Sequence, residues 1–236
     1  LLFSELSAFP IVFYAAPVSL SGGELDFRLT LNPLRVTVGR MQVTDQGRHL
    51  TLHGDLEAGQ EGWQVAMDGH MDGIAPARLM ALWPAQMASK TRRWLDDNLL
   101  AAQISNVDLA FRRAPDAKPV TFLGFEYEEA TVKAAKFMPP ITQGRGRFSL
   151  MEGRMVIALD SGEVMPPEGG AVQLAGTSFI IPDTRIKGGA PAVLRLRSQS
   201  SITGALSLLN APPLSVADKA KLPVNLADGE AVIEGT

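Results

Sequence analysis

The segment Gly22–Leu31 reads GGELDFRLTL and alternates between apolar and polar residues. The apolar positions are Leu25, Phe27, Leu29 and Leu31, and the polar positions between them are Asp26, Arg28 and Thr30. Successive side chains of a β-strand point to opposite faces, so this period of two predicts a strand with one apolar and one polar face. The same alternation recurs in many separate segments, which predicts a mainly β fold.

The residues after this strand continue the pattern. Val36 and Val38 repeat the alternation, and Gly39-Arg40 then shifts its phase so that Met41 carries it on, which predicts a β-bulge. Turn residues such as those of Asp45–Gly47 separate one apolar-polar segment from the next. Short turns between alternating segments predict a meander of antiparallel strands with one apolar face.

Two segments have the apolar spacing of helices instead. Ala77–Leu99 reads ARLMALWPAQMASKTRRWLDDNL, and Gly204–Leu226 reads GALSLLNAPPLSVADKAKLPVNL. Five residues of the first segment recur 127 positions later in the second, namely Leu79, Leu82, Leu95, Asn98 and Leu99. In the second segment, Ser215–Asp218 has the spacing of a capping box, which predicts a helix start. The recurrence predicts a repeated unit of several strands followed by a short helical cap.

We therefore expect a strongly twisted, curved antiparallel sheet with short helical caps. The repeat predicts one strand-rich unit over residues 1–105 and a second over residues 106–236, each ending in a helical cap. Glu230–Thr236 begins a strand pattern where Asn106–Phe111 follows the first helical segment. We therefore expect the chain to be a fragment of a longer repetitive protein.

The composition excludes several classes of function. The 236 residues are 46% hydrophobic and 20% charged, which excludes wholesale disorder. The net charge of −3 provides no broad basic field, so we expect no nucleic-acid partner. Cysteine is absent from the sequence, which excludes disulfides, thiol catalysis and cysteine-type zinc sites.

No motif predicts catalysis or a cofactor. His49 and His53 have a helical metal-ligand spacing but lie in a strand pattern, so we interpret them as solvated strand residues and expect no metal. Gly144–Arg147 lacks the Lys-Ser/Thr of a phosphate loop, and we interpret it as a β-turn. Trp83 and Trp94 are interpreted as core anchors. An enzyme with a site spread over loops is the least favoured alternative.

The helical segments carry a resemblance to a known family. The sequences Leu82–Pro84, Arg93–Leu95 and Asn98–Leu99, followed by Ile104–Phe111, resemble the AsmA-like proteins of Gram-negative bacteria. Gly188–Ala192, which leads into an apolar strand and then a Leu-rich helical segment, is similar to that family as well. These motifs are dispersed over most of the chain and include no catalytic signature.

The resemblance implies a bridge-like lipid carrier of the periplasm, anchored to the inner membrane in the full-length protein. Such a protein moves phospholipid between the inner and outer membranes. The resemblance implies that its curved antiparallel sheet forms a groove or an open barrel-like (β-taco) module with short helical caps. The partners that this implies are phospholipid acyl chains and adjoining repeats of the same longer chain, with membrane contact through parts outside this sequence. A curved sheet with an apolar concave face suits this role, because each buried CH₂ contributes about 0.8 kcal/mol.

The predicted groove lining consists of the apolar members of the alternating strands. These are Phe27, Leu29, Val36, Val38, Leu52, Val65, Met67, Leu109, Phe111, Phe122, Phe148, Leu150, Ile157, Leu159, Leu174, Phe179, Ile181, Leu194 and Leu196. The alternative is a non-catalytic structural or assembly scaffold of the cell envelope, in which the same residues form a closed β core. Apolar alternation is typical of both, so the sequence leaves the two open.

Overall fold

The computed structural model describes residues 2–3, 6–8, 18–82, 89–186 and 188–236. The fold is mainly β, as predicted, with one large antiparallel sheet and a few short helices. The strands are β1 (Leu2–Phe3), β2 (Leu6–Ala8), β3 (Val18–Leu20), β4 (Gly22–Leu31), β5 (Leu34–Asp45), β6 (Arg48–Gly59), β7 (Gly62–Ile74), β8 (Leu99–Arg113), β9 (Val120–Val132), β10 (Ile141–Met151), β11 (Arg154–Val164), β12 (Val172–Gln173), β13 (Ser178–Ile181), β14 (Val193–Ser201) and β15 (Glu230–Gly235). The helices are α1 (Pro76–Leu82), α2 (Ser89–Asn98), α3 (Ile202–Asn210) and α4 (Val216–Ala220).

The sheet is largely the predicted meander. Its hydrogen-bonded order is β1, β4, β5, β6, β7, β8, β9, β10, β11, β12, β14 and β13, and β15 pairs with β14. From β4 to β11 every strand lies beside its neighbour in sequence, so short turns suffice to connect most of them. Strands β2 and β3 form a separate antiparallel pair.

Two compact units divide the chain. The first contains Leu1–Arg92, Ile104–Glu126 and Ser149–Met155, and the second contains the remaining segments 93–103, 127–148 and 156–236. Strands β8 to β11 therefore contribute residues to both units. The boundary that the repeat predicts, between residues 105 and 106, falls inside β8.

The predicted bulge lies in β5. Asp26 pairs with Arg40 and Phe27 pairs with Val38, so Gly39 is the additional residue on β5. The pairing of β5 with β6 shifts at the same place, between Val38 and Met41. The extra residue keeps the apolar side chains before and after it on one face, which a strict alternation could not do.

The helices lie in the predicted segments, but the capping-box prediction at Ser215 was wrong. Ser215 has a left-handed φ of 48° and makes no side-chain cap hydrogen bond. Asn210 acts instead: its Oδ1 accepts from the Asp218 backbone N–H at 3.0 Å, and its Nδ2 donates to Asp218 Oδ1 at 3.1 Å. The capped helix start is that of α3, where Ser201 Oγ accepts from Gly204 N–H at 2.9 Å.

Two further interpretations need correction. Gly144–Arg147 is not a turn but lies within β10. A Cβ at Gly146 would collide with the Ala158 carbonyl and would come within 2.6 Å of the Tyr127 hydroxyl, so glycine allows close strand approach there. Trp94 is 44% exposed and is therefore not a core anchor, and Trp83 lies outside the described residues.

The second unit has a closed apolar core. Val164, Val172 and Leu174 are buried together, with Val172 only 2% exposed. The partly buried residues packed against this cluster are Ile141, Leu159, Leu196 and Leu208. Leu208 belongs to α3, so a helix covers the apolar strands at this place.

Candidate functional site

Strands β4 to β8 of the first unit share one apolar face. Paired residues of antiparallel strands lie on the same side of a sheet, so the register links Leu29 to Val36, Val36 to Leu56, and Leu56 to Val65. We call this side the open face. Its apolar members are Leu25, Phe27, Leu29, Leu31, Leu34, Val36, Val38, Met41, Val43, Leu50, Leu52, Leu56, Ala58, Trp63, Val65, Met67, Met71, Val107, Leu109 and Phe111.

The open face is exposed toward one end and half-buried along most of its length. Leu31 is 77% exposed, Phe27 55%, Leu29 51% and Trp63 49%. Val43 and Val107, by contrast, are buried members of this face, with 2% and 8% exposure. Isolated exposed apolar residues are normal on a soluble protein. A contiguous apolar face across five strands is instead typical of an interaction surface or a ligand-binding groove.

The middle of the open face is a continuous apolar layer. Gly69 lies between Leu52 on β6 and Leu109 on β8. A Cβ at Gly69 would lie 2.6 Å from Leu52 Cδ2 and 3.0 Å from Leu109 Cδ1, so both leucine side chains extend over the glycine. The two leucine side chains thereby cover the backbone of Gly69, which is buried.

The opposite side of the same strands is polar. Arg35 donates to Asp55 Oδ1 at 3.0 Å, and Arg112 donates to both Asp68 oxygens at 2.7 and 2.8 Å. Thr37 Oγ1 donates to Asp55 Oδ1 at 2.6 Å. The hydrogen bond from Thr37, followed by that from Arg35, lowers the pKa of Asp55. One side of the sheet is therefore suited to water and the other to apolar groups.

The histidines lie on this polar side. His70 Nδ1 is 2.8 Å from Asp108 Oδ1, and His53 Nε2 is 3.8 Å from Asp68 Oδ2. His49, His53 and His70 are exposed, which agrees with their interpretation as solvated strand residues. Within the described ranges, no three His, Asp or Glu residues are grouped so that they could hold a metal ion.

The two ends of the open face differ. At one end Asp45 accepts from Arg78 Nε at 2.6 Å and from Arg78 Nη2 at 2.8 Å, and both side chains are only 19% exposed. Arg48 pairs with Asp45 in the register, and its guanidinium extends over Gly73. We call this the charged end. The other end, at the β4–β5 and β6–β7 turns, carries the exposed apolar residues and is called the turn end.

The structure brings nine of the predicted groove residues onto the open face. They are Phe27, Leu29, Val36, Val38, Leu52, Val65, Met67, Leu109 and Phe111. The prediction missed other members of the same rows, including Leu34, Leu56 and Met71. Their signal was in the sequence, because each lies two or a few residues from a predicted member with the same strand phase.

Phe122 and Leu150 are the other predicted residues of the first unit. A Cβ at Gly124 would lie 3.0 Å from the Phe122 ring, so Phe122 lies on the side of β9 that carries Gly124 and, by alternation, Glu126. Leu123 and Phe125 occupy the other side of β9. Apolar residues therefore lie on both sides of this strand. Leu150 is half-buried in β10.

The second unit uses its predicted groove residues differently. Leu174 is buried, and Leu159 and Leu196 pack against it, so these three belong to the closed core rather than to an open lining. Phe179 pairs with Leu194, which is 48% exposed, and Ile181 has the same strand phase as Phe179. Phe148 and Ile157 are half-buried in β10 and β11.

No protein-family model, curated protein or solved structure matches the chain. In the part of the chain that the structure describes, no helix is both long enough and apolar enough to span a bilayer. The likeness to AsmA-like proteins therefore stays a prediction.

Proposed function

We propose that the open face binds phospholipid acyl chains, as part of a lipid-binding groove module in a periplasmic, inner-membrane-anchored, bridge-like protein that moves phospholipid between the two membranes. The observation that supports this proposal is a contiguous apolar face on five strands that is exposed at the turn end and half-buried along most of the remainder. A soluble protein that uses such strands only for its core would bury them. No catalytic step is part of the proposal.

The dimensions of the open face suit an acyl chain. Val65 and Met71 lie six residues apart on β7, which corresponds to about 20 Å along a strand. The hydrocarbon core of a bilayer is about 30 Å thick, so each leaflet contributes about 15 Å. An acyl chain therefore fits along the row, and each CH₂ that leaves water there contributes about 0.8 kcal/mol.

The chemistry of the face also suits transfer rather than trapping. Between the two ends it presents aliphatic and aromatic side chains without a polar group that would bind one position of a lipid. Apolar attraction has no direction and scales with contact area. A lipid can therefore slide along the rows without being held in a deep energy minimum at one position. The polar opposite side keeps the sheet hydrated.

Lipid extraction from the purified protein, together with titration of a phospholipid carrying a fluorescent acyl chain, tests the proposal. Leu29→Asp and Leu109→Asp place a charge on the open face and should abolish phospholipid binding while the far-UV circular dichroism spectrum is retained. The matched control is Thr30→Asp, because Thr30 adjoins Leu29 in β4 and faces the polar side. It should bind phospholipid like the wild type.

The second candidate is the structural or assembly scaffold. The closed cluster of Val164, Val172 and Leu174 favours it for the second unit, because those residues are buried by side chains of the protein itself. A wild-type protein that binds no phospholipid, combined with unfolding of Leu109→Asp, would contradict the carrier and support the scaffold.

A further inference from the structure

Arg113 is a cation on the apolar side of the sheet. It is the last residue of β8 and pairs with Val65 in the register, which places it on the open face at the turn end. Its neighbour Arg112 lies on the polar side and is bound to Asp68. Arg113 is exposed and, within the described part of the chain, its side chain makes no hydrogen bond or ion pair.

The carboxylate of the open face lies at the opposite end from Arg113. Among the described residues of β4 to β8, the register places one carboxylate on this side, that of Asp45. Asp45 lies at the charged end and is already bound by Arg78 through both oxygens. A guanidinium without a protein counter-ion beside an apolar face is suited to an anion that a bound amphiphile brings with it.

We propose that Arg113 binds the phosphate of a phospholipid whose acyl chains lie on the open face and point toward the charged end. This inference rests on the proposed function and adds to it the ligand class, a phosphate-bearing lipid, and its orientation. The planar guanidinium binds two phosphate oxygens at once. Trp63, two residues before Val65 on β7 and half exposed at the same end, has the apolar ring and polar N–H typical of the level of lipid headgroups.

Arg48 at the charged end is less suited to this role. It pairs with Asp45 in the register, so a carboxylate partly offsets its charge. Its guanidinium also extends over Gly73 rather than out from the sheet. A phosphate at the charged end would also lie close to the Asp45 carboxylate, whereas a phosphate at Arg113 would meet no acid of the open face.

The test compares two lipids with identical fluorescent acyl chains, phosphatidylglycerol and diacylglycerol, on the same variants. Arg113→Gln should weaken phosphatidylglycerol binding about tenfold, equivalent to about 1.4 kcal/mol, and leave diacylglycerol binding unchanged. Arg28→Gln is the matched control, because Arg28 is an exposed cation on the polar side of β4 whose side chain has no partner among the described residues. It should leave binding of both lipids unchanged, since a solvated charge across the sheet is screened.

The outcomes separate this inference from the proposed function. If the wild type binds both lipids and Arg113→Gln binds them as well as the wild type does, the phosphate site is wrong and the acyl-chain face stands. If Arg48→Gln selectively loses phosphatidylglycerol and Arg113→Gln does not, the orientation is wrong. If the wild type binds neither lipid, the proposed function itself is overturned and this inference with it.

Discussion

The two units have the same apolar-polar alternation, but their apolar residues are buried to different degrees. In the first unit the apolar rows of β4 to β8 are half-buried along most of their length, and Phe27 and Leu29 are more than half exposed. In the second unit the apolar residues of β11, β12 and β14 form a closed cluster, and Leu208 of α3 packs against it. The second unit thus has a helix packed over its apolar strands.

The sequences of the helices explain part of this difference. Helix α3 reads ITGALSLLN and buries Gly204, Ala205 and Ser207, so it can lie close to the sheet beneath it. In the first unit, the ion pair between Arg78 and Asp45 joins α1 to these strands at the charged end. The small residues of α3 thus favour the close cover that the closed cluster of the second unit has.

The largest expected effect is the difference between a charge in the closed cluster and a charge on the open face. Val172→Asp buries a charge in the closed cluster and should lower the free energy of unfolding by more than about 3 kcal/mol, because an unpaired buried charge is not solvated. Phe27→Asp places the same charge on the open face and should change it by less than about 0.5 kcal/mol. Urea unfolding of both variants is the measurement. Equal destabilisation would show that the open face is a core in solution.

A smaller effect concerns a hydrogen bond in the second unit. The Tyr127 hydroxyl donates to the Ala158 carbonyl at 2.8 Å across Gly146, and Tyr127→Phe removes this hydrogen bond. We expect a loss of about 1.5 kcal/mol at pH 7, the upper range for a neutral hydrogen bond. Thermal unfolding of wild type and variant measures this loss, and an unchanged melting temperature would contradict it.

The same residue predicts a dependence on alkaline pH. Burial, followed by the charge of Asp160, raises the pKa of Tyr127 to about 12. Because the folded state holds the proton more tightly than the unfolded state, the stability from the neutral hydroxyl is complete below about pH 10 and is lost as the pH rises toward 12. Tyr127→Phe should lack this part of the alkaline decline in urea titrations, and an identical decline in both proteins would refute the assignment.

The smallest effect concerns the helix that closes the core. Ser201 Oγ accepts from Gly204 N–H and donates to the Gly169 carbonyl at 2.6 Å, so Ser201→Ala should cost about 1 kcal/mol. Ser215→Ala, at the helix start without a side-chain cap bond, should cost less than about 0.3 kcal/mol. A reversed order of the two melting temperatures would restore the capping-box interpretation of Ser215.

Local pattern was enough to predict the strands of the first unit. Alternation predicted the rows of Phe27 and Val38, and Gly39-Arg40 predicted the bulge that keeps them aligned. Each of these features depends on residues that are close in sequence. The predicted rows therefore appear on one face in the structure, including the nine residues of the groove list.

Long-range contacts account for what the sequence did not predict. The closure over Leu174 depends on Leu208, more than thirty residues later, and no local period reveals that contact. The glycine-rich segment Gly144–Arg147 has the composition of a turn. Its Gly146 instead allows β10 to lie close to Tyr127 and Ala158. The cap of α4 comes from Asn210 in the preceding helix, so the Ser215 motif was misleading.

The ion pair between Asp45 and Arg78 links occupancy of the open face to the local dielectric constant. In the empty protein, the Asp45 and Arg78 side chains are each 19% exposed, so water reaches the pair and weakens its attraction. An acyl chain that covers the charged end would replace that water with hydrocarbon, and the attraction between two opposite charges grows as the dielectric constant falls. Dissolved salt would then reach the pair less easily. The first unit should therefore lose more stability on addition of salt when it is empty than when it carries lipid.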